Sequence, residues 1–140
     1  MNRPIRCLDP ETFAPYGVVL QLAPDAVPGF HNLLTQPDVP GWTWAISKLT
    51  RRHVDTLGAH PDTKETFEPL SGVALIAVAP PDSPEAFEVF LLDRPICVNE
   101  NVWHATCALS AEASLKIVEN AKVTGVSYAL LASYHPLLAA

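Results

Sequence analysis

Apolar, β-branched and aromatic residues along the chain fall in short runs rather than in helical repeats. Clusters of Pro, Asp and Gly separate these runs, a pattern that predicts strands joined by turns. Fourteen prolines and six glycines interrupt the chain too often for long helices. We therefore predict an all-β sandwich or barrel, with residues 1–140 forming one domain. The predicted strands are 16–22, 42–49, 73–79, 87–92, 113–118 and 126–134.

Alternation within these runs predicts which side chains are buried. Leu115 faces one way and Lys116 the other, as in a strand with one buried face. Trp42 and Trp44 share a face, and we predict that they lie in the core, with a dimer interface as the alternative. The run 73–79 is apolar on both faces, which predicts a central strand covered by the barrel and by another element or subunit. Because an uncovered apolar strand promotes aggregation, this run favours a homodimer over a monomer.

A short helix is predicted near the N-terminus. Asp9 stands at the N-cap position, Pro10 at the first helical position and Glu11 in the first turn. Pro15 follows too closely for more than one or two turns.

Composition narrows the classes of partner. Hydrophobic residues make up 49% of the chain and charged residues 17%, which argues against disorder. The net charge of −6 disfavours nucleic acid and membrane surfaces, although a small anionic substrate remains compatible with a locally positive pocket. No apolar run approaches the ~20 residues that span a bilayer, and no apolar segment follows the basic N-terminus. Three cysteines without a CxxC spacing indicate reduced thiols, and we expect a cytoplasmic protein.

The candidate chemistry lies in three polar residues of a chain that is otherwise largely apolar. His60 and Glu65 share one segment, and His104 follows about one hairpin pair downstream. Two imidazoles and a carboxylate suit either a metal site or acid–base catalysis. Each could instead be an ordinary residue: a buried histidine at 104, an exposed one at 60 and a solvated charge at 65.

The spacing of these residues resembles a known motif. His60-x-Asp62-x2-Glu65-x6-Gly72 is similar to the first motif of the cupin superfamily, with Asp62 in place of its second His. His104, which closes Asn101-Val102-Trp103-His104, lies where the second cupin motif has its single His. The resemblance implies a double-stranded β-helix, or jelly-roll barrel, with His60, Glu65 and His104 at its mouth. It also implies a metal set of these three, with Asp62 as a possible fourth ligand. Such a set suits Fe, Mn, Ni or Zn with open positions, and we expect no organic cofactor.

A second resemblance runs along most of the chain. Four blocks agree in order and spacing with the ureidoglycolate lyase family of cupins, formerly called ureidoglycolate hydrolases. The third block carries the family's most specific element, a Val-Trp-His segment. The blocks are Leu8-x4-Phe13-x-Pro15-Tyr16-Gly17-Val18-Val19, His60-Pro61-x3-Glu65-x-Phe67-x-Pro69-Leu70, Asn99-x-Asn101-Val102-Trp103-His104 and Leu115-Lys116-Ile117-Val118.

This resemblance implies a cytoplasmic, usually dimeric lyase of allantoin breakdown, a part of purine catabolism. The family splits ureidoglycolate into glyoxylate and urea. In that elimination a base takes the carbinol hydroxyl proton, and an acid protonates the departing urea nitrogen. The implied catalytic residues are His60, Glu65 and His104. Histidines suit acid and base roles because an imidazole titrates near neutral pH, and Glu65 would orient an imidazole or take the hydroxyl proton itself. The candidate substrate contacts are Asn101, Trp103, Lys116 and Tyr16.

Departures from the family pattern keep two other functions open. Gly58 and Ala59 stand where the family has an acid and an arginine, which favours a non-catalytic cupin that binds a small molecule. Glu65 stands where the family has Gln, which favours a metal-dependent cupin enzyme of different specificity. Without the family's cations, a substrate carboxylate would be held by a metal or by one of three basic residues: Lys64, Arg94 or Lys116.

Overall fold

Strands dominate the regular structure of the computed structural model, which describes residues 3–38 and 41–136. A helix α1 (Pro10–Phe13) and a 3-10 turn (Pro84–Ala86) complete the regular structure. In chain order the strands are β1 (Ile5–Arg6), β2 (Gly17–Val19), β3 (Trp42–Leu49), β4 (Val54–Ala59), β5 (Glu65–Ser71), β6 (Ala74–Ala79), β7 (Glu88–Leu92), β8 (Ile96–Val98), β9 (Trp103–Ala108), β10 (Ala113–Asn120) and β11 (Val126–Tyr134).

The strands form two sheets with the order of a jelly roll. One sheet runs β1-β7-β6-β9-β4-β11 and the other β2-β8-β5-β10-β3. The antiparallel pairs are nested along the chain: β3 with β10, β4 with β9, β5 with β8 and β6 with β7. Successive pairs alternate between the two sheets, as in a long hairpin ribbon rolled upon itself. The predicted cupin-type jelly roll with a short N-terminal helix is confirmed; that residues 1–140 form one domain stays a prediction.

Two apolar clusters lie on opposite faces of the six-stranded sheet. All six residues of β6 are buried, because alternate side chains contact alternate clusters. Ile76 packs between the sheets with Phe90 and Leu115, whereas Leu75 packs in the outer cluster with Tyr134 of β11. Each such side chain contributes about 1.5–3 kcal/mol by leaving water. The chain therefore covers the second face of β6 itself, and this strand no longer argues for a second subunit.

The N-terminal helix is built as its sequence predicts. The side chain of Asp9 accepts a hydrogen bond of 2.8 Å from the backbone N–H of Glu11, and Pro10 is the first helical residue. Phe13 is fully buried against Phe90, which attaches the helix to the core. No helix in the described residues is long and apolar enough to cross a membrane.

The prediction that Trp42 and Trp44 lie in the core is wrong. Their exposed fractions are 71% and 62%, and Ile46 on the same face is 70% exposed. The sequence predicts correctly that Trp42 and Trp44 share one face of β3, but that face is exposed to solvent rather than buried in the core. The inward positions of β3 carry smaller residues and Leu49, which packs against the core, since β3 is an edge strand and only its inner face meets the barrel.

Five strands, β1, β4, β5, β8 and β9, were not predicted as apolar runs. Polar residues interrupt β4, β5 and β9, while β1 and β8 are only two and three residues long. Conversely, the predicted strand 16–22 shrinks to Gly17–Val19.

Candidate functional site

Three strand ends bring the candidate trio to one end of the barrel. His60 follows the last residue of β4, Glu65 begins β5 and His104 is the second residue of β9. Because β4 and β9 are antiparallel and pair at Gly58 and His104, the end of one meets the start of the other. The structure thus assembles His60, Glu65 and His104 from two segments far apart in sequence.

The two imidazoles converge on one carboxylate oxygen. Nε2 of His60 lies 3.1 Å from Oε1 of Glu65, and Nε2 of His104 lies 3.0 Å from the same atom. The three side chains are 22%, 11% and 10% exposed in chain order, so water has limited access to them. One ligand atom from each residue lies within 4.8 Å of the others.

The opposite ring nitrogens settle which tautomer each histidine adopts. Nδ1 of His60 lies 2.9 Å from the carbonyl oxygen of Thr124, and Nδ1 of His104 lies 3.0 Å from that of Val102. A carbonyl only accepts hydrogen bonds, so each Nδ1 carries a proton and donates it. In a neutral ring, Nε2 then presents a lone pair to Glu65.

Two lone pairs and a carboxylate oxygen repel one another at such distances unless positive charge lies among them. That charge is either a second proton on a ring or a metal ion. Histidine ligands of metals commonly donate the other ring N–H to a backbone carbonyl, as both do here. The donor set of two imidazoles and a carboxylate therefore fits Fe, Mn, Ni or Zn with open positions.

The surrounding backbone and one ring limit the movement of both histidines. Asn101 adopts a positive φ of 64°, and its N–H donates to the carbonyl of His60 at 2.9 Å. A Cβ on Gly125 would lie 3.3 Å from Nδ1 of His60, so a side chain there would press on the ring. The ring of Phe67 meets that of His104 edge-on, with centroids 5.6 Å apart.

Glu119 is a further acidic group of this site that the sequence reasoning did not single out. It is the register partner of Glu65 across β5 and β10, and directly opposed residues of antiparallel strands project to the same face. Burial, and next the charge of Glu65, raise the pKa of Glu119, while His60 acts in the opposite direction. The alternation from Leu115 through Ile117 was the signal that could have found it.

Two of the predicted substrate contacts lie outside the mouth. Trp103 faces away from its neighbour His104; its Nε1–H donates to the carbonyl of Pro81 at 3.0 Å and its ring packs against Tyr128. Lys116 lies on the outer face of β10, where Nζ is 2.6 Å from Glu68.

The other candidates have structural partners. The Tyr16 hydroxyl donates to the carboxylate of Glu88, and burial together with this contact raises the pKa of Tyr16 to about 12. Asn101 is exposed and forms the turn beside His60. Asp62, the predicted fourth ligand, is exposed and does not belong to the trio.

The other two candidate cations also contact groups outside the trio. Nζ of Lys64 lies 2.8 Å from the carboxylate of Glu100. Arg94 contacts Asp93 and the side chain of Gln21. Lys64, Arg94 and Lys116, the three residues expected to hold a substrate carboxylate, thus all pair with acidic side chains outside the trio.

The jelly-roll strand order and the two-histidine, one-carboxylate cluster define a cupin-type protein. No family model matches the chain. It is 28% identical over 120 residues to a ureidoglycolate lyase of Agrobacterium fabrum, a similarity that covers 71% of this chain and 72% of that protein. The predicted resemblance is therefore confirmed: the chain is a distant relative of a ureidoglycolate lyase.

Solved structures with a similar arrangement of strands include three enzymes. A mutant oxalate decarboxylase of Bacillus subtilis has a TM-score of 0.48 at 17% identity; the match covers 64% of this chain and 24%, about a quarter, of that protein. A TDP-quinovose 3,4-ketoisomerase of Campylobacter jejuni has a TM-score of 0.45 at 15% identity, covering 69% and 70%. A dTDP sugar isomerase of Desulfovibrio desulfuricans has a TM-score of 0.45 at 13% identity, covering 86% and 81%.

Proposed function

We propose that the protein is a lyase of the ureidoglycolate type, which cleaves the C–N bond of a small α-hydroxy ureido acid to give glyoxylate and urea. The observation that carries this proposal is the convergence of His60, Glu65 and His104 at one end of the barrel. Their positions match segments in which the chain resembles ureidoglycolate lyases, and the similarity to the Agrobacterium protein supports the same reaction class.

The reaction needs one base and one acid on the two sides of the breaking bond. The carbinol hydroxyl loses its proton, its oxygen forms the aldehyde C=O, and the C–N electron pair leaves with the urea nitrogen, which takes up a proton. Glu65 can accept the hydroxyl proton. A doubly protonated imidazole of His60 or His104 can give a proton to the nitrogen.

The hydrogen-bond pattern supports Nε2 of each histidine as the atom that takes part in these transfers. Both Nδ1 atoms are engaged with backbone carbonyls, so each ring exchanges protons with the substrate through Nε2 alone. The carbonyl bonds also hold the ring planes, because a flip of either ring would break a hydrogen bond. The chain thereby orients both imidazoles before the substrate arrives.

A divalent metal fits the same donor atoms: Nε2 of His60, Nε2 of His104 and the Glu65 carboxylate. When bound, such an ion would bind the substrate's carboxylate and hydroxyl and lower the pKa of that hydroxyl. Glu65 would then be occupied as a metal ligand. The carboxyl group of Glu119, which lies opposite Glu65, would exchange protons with the substrate in its place.

One observation favours a second candidate function, a metal-dependent cupin enzyme of different specificity. Two carboxyl groups, Glu65 and Glu119, face the interior at this end, while the three basic candidates are paired elsewhere. An anionic substrate would meet unfavourable charge here unless a cation were bound. Glu65, in place of the family's Gln, supplies a ligand for that cation.

Activity and metal content measured on the same purified protein separate the candidates. Glyoxylate release from ureidoglycolate, lost in His104→Ala and kept in the matched control His53→Ala, supports the lyase. Stoichiometric Fe, Mn, Ni or Zn without glyoxylate release supports the second candidate. A protein that holds no metal and releases no glyoxylate would contradict both candidate functions and leave a module that binds a small molecule.

We further propose that this activity resides in the cytoplasm. Cys7, Cys97 and Cys107 are all free thiols, and Cys7 is exposed. Exposed free thiols persist in reducing compartments, where disulfides are rare. A redox-sensitive alkylation assay on cells would test this, because a protein from an oxidising compartment would yield Cys7 in oxidised form.

A further inference from the structure

The outer face of the five-stranded sheet carries a cavity that the proposed reaction does not use. Cys97, Thr66 and Val118 turn away from the barrel core and pair in one row across β8, β5 and β10. Leu34, from the chain before β3, and Trp42 form further walls of this outer cavity, whose volume is about 130 Å³. Close-packed proteins contain few voids larger than a water molecule, so a cavity of this size is an exception.

We propose that the outer cavity binds a small neutral aromatic molecule that carries one hydrogen-bond acceptor. Its volume is close to the ~150 Å³ of an engineered apolar cavity that takes up benzene. Leu34, Val118 and the thiol of Cys97 offer apolar contacts to such a ring. The indole of Trp42 is 71% exposed and therefore has ring surface left for stacking on the ligand.

Lys64, which also lines the cavity, supplies the polar contact. Its ammonium group has three N–H donors, and one lies 2.8 Å from the carboxylate of Glu100 and another 3.3 Å from the side-chain oxygen of Asn99. Within the residues that the structure describes, the third N–H is left for an acceptor on a ligand. Because Glu100 already neutralises Lys64, a free acid would gain little charge attraction, and an amide carbonyl suits the site better.

The floor of the cavity is uncharged and does not compete for that acceptor. The hydroxyl of Thr66 accepts a hydrogen bond of 3.0 Å from the backbone N–H of Val118 and donates one of 3.3 Å to its carbonyl. Burial raises the pKa of Cys97 to about 11, so this residue remains a neutral thiol at physiological pH. The ring of a ligand can therefore lie on the floor while its acceptor reaches Lys64.

The outer cavity lies directly behind the candidate active site. Glu65 and Glu119 project into the barrel, whereas Thr66 and Val118, the next and the preceding residue, project outward to the cavity floor. Glu119 borders the cavity as well, and a carboxyl group there also disfavours an acidic ligand. Binding does not require the proposed reaction, so His104→Ala should bind the ligand as tightly as the wild type does.

Protection of Cys97 from a small thiol reagent tests the proposal, with benzamide as the probe ligand. A ligand of about nine non-hydrogen atoms is expected to bind with a Kd on the order of 1 mM, which a nuclear magnetic resonance titration of the Trp42 indole N–H measures. Methyl methanethiosulfonate then modifies the free thiols of the folded full-length chain, and peptide mass spectrometry gives the rate at each cysteine. At about ten times the Kd of benzamide, modification of Cys97 should slow about tenfold, because only the empty fraction reacts.

Cys107 is the internal control. It is a free thiol that is as buried as Cys97, but it lies in the apolar cluster on the far side of the six-stranded sheet. Benzamide should leave its rate of modification unchanged.

Two variants test the apolar and the polar contact separately. Val118→Phe fills the cavity and should raise the Kd of benzamide by more than about tenfold. Val126→Phe, on β11 at a position that is 53% exposed, is the matched control and should leave that Kd unchanged. Lys64→Met should raise the Kd about tenfold, because a hydrogen bond from a charged group contributes about 1.5 kcal/mol.

Three results would overturn the proposal. One is a Trp42 indole resonance that does not move at about ten times the expected Kd of benzamide. Another is equal protection of Cys107 and Cys97. The third is a Val118→Phe variant that circular dichroism shows to be folded and that keeps the wild-type affinity for benzamide. If Val118→Phe does not fold, the Trp42 titration and the comparison of the two thiols in the wild type decide.

Discussion

Replacing Glu65 by Gln tests whether the trio binds a cation. The change keeps the shape of the side chain but removes the charge that faces the Nε2 atoms of His60 and His104 at 3.1 and 3.0 Å. The carboxylate is largely buried, so its charge is only weakly screened by solvent. Breaking a buried ion pair costs a protein about 3–5 kcal/mol of stability; a loss of about 3 kcal/mol in metal binding, taken by analogy, raises the metal Kd by more than about 100-fold.

This loss of affinity translates into a thermal shift. At a free metal concentration 100 times the wild-type Kd, binding stabilises the folded protein by about 2.7 kcal/mol. For a chain of this size, that raises Tm by roughly 10 °C. For Glu65→Gln at the same concentration, the metal is near its new Kd and contributes about 0.4 kcal/mol, a shift of roughly 1–2 °C.

Differential scanning calorimetry with Fe, Mn, Ni or Zn measures both shifts directly. Glu68→Gln is the matched control, because Glu68 lies on the outer face of the same strand and should retain the full shift. A wild-type protein that none of the four metals stabilises would refute the reasoning from the donor set. So would a Glu65→Gln variant that keeps the full shift.

Three further predictions follow from the packing. The pKa of Tyr16 is about 12 in the folded protein against 10 when unfolded, so the stability that this hydroxyl contributes is complete below pH 10 and is lost as the pH rises through 12. The loss of stability between pH 10 and 12 should therefore be shallower in Tyr16→Phe than in the wild type. Equal alkaline denaturation curves for the two proteins would contradict this. Gly17→Ala should lower stability by about 3 kcal/mol or more, because its Cβ would lie 1.8 Å from the carbonyl oxygen of Cys97. Gly58→Ala, with its nearest atom at 3.8 Å, should melt near the wild type. Because burial raises the pKa of Cys97 to about 11 while Cys7 is exposed, a thiol reagent at pH 8 should modify Cys7 first; faster modification of Cys97 in folded protein would contradict the structure.

The fold class was accessible from the sequence because alternation and turn residues are local signals. The Asp9 cap, the strand limits of β3 and β11, and the apolar run of β6 agree with the structure or lie within one residue of it. Strands β4, β5 and β9 were less visible as apolar runs. Glu65 and His104 of the site interrupt the hydrophobic pattern of β5 and β9, and Asp55 and Thr56 interrupt that of β4.

The sequence by itself determined the chemistry available to this protein. Residue identity and spacing singled out His60, Glu65 and His104, and the Val-Trp-His segment pointed to the relatives that the comparison then supported. Spacing was sufficient there, because each motif lies at one end of a strand and the period of two sets the direction of its side chains.

Only the tertiary structure decided which faces are covered and which atoms meet. Alternation predicted that Trp42 and Trp44 share a face, but the position of β3 at a sheet edge turned that face to solvent. The tautomers of His60 and His104 likewise depend on carbonyls of Thr124 and Val102, which only the folded chain brings near the rings. A period of two specifies two sides of a strand, whereas burial and hydrogen bonding depend on what the rest of the chain places against each side.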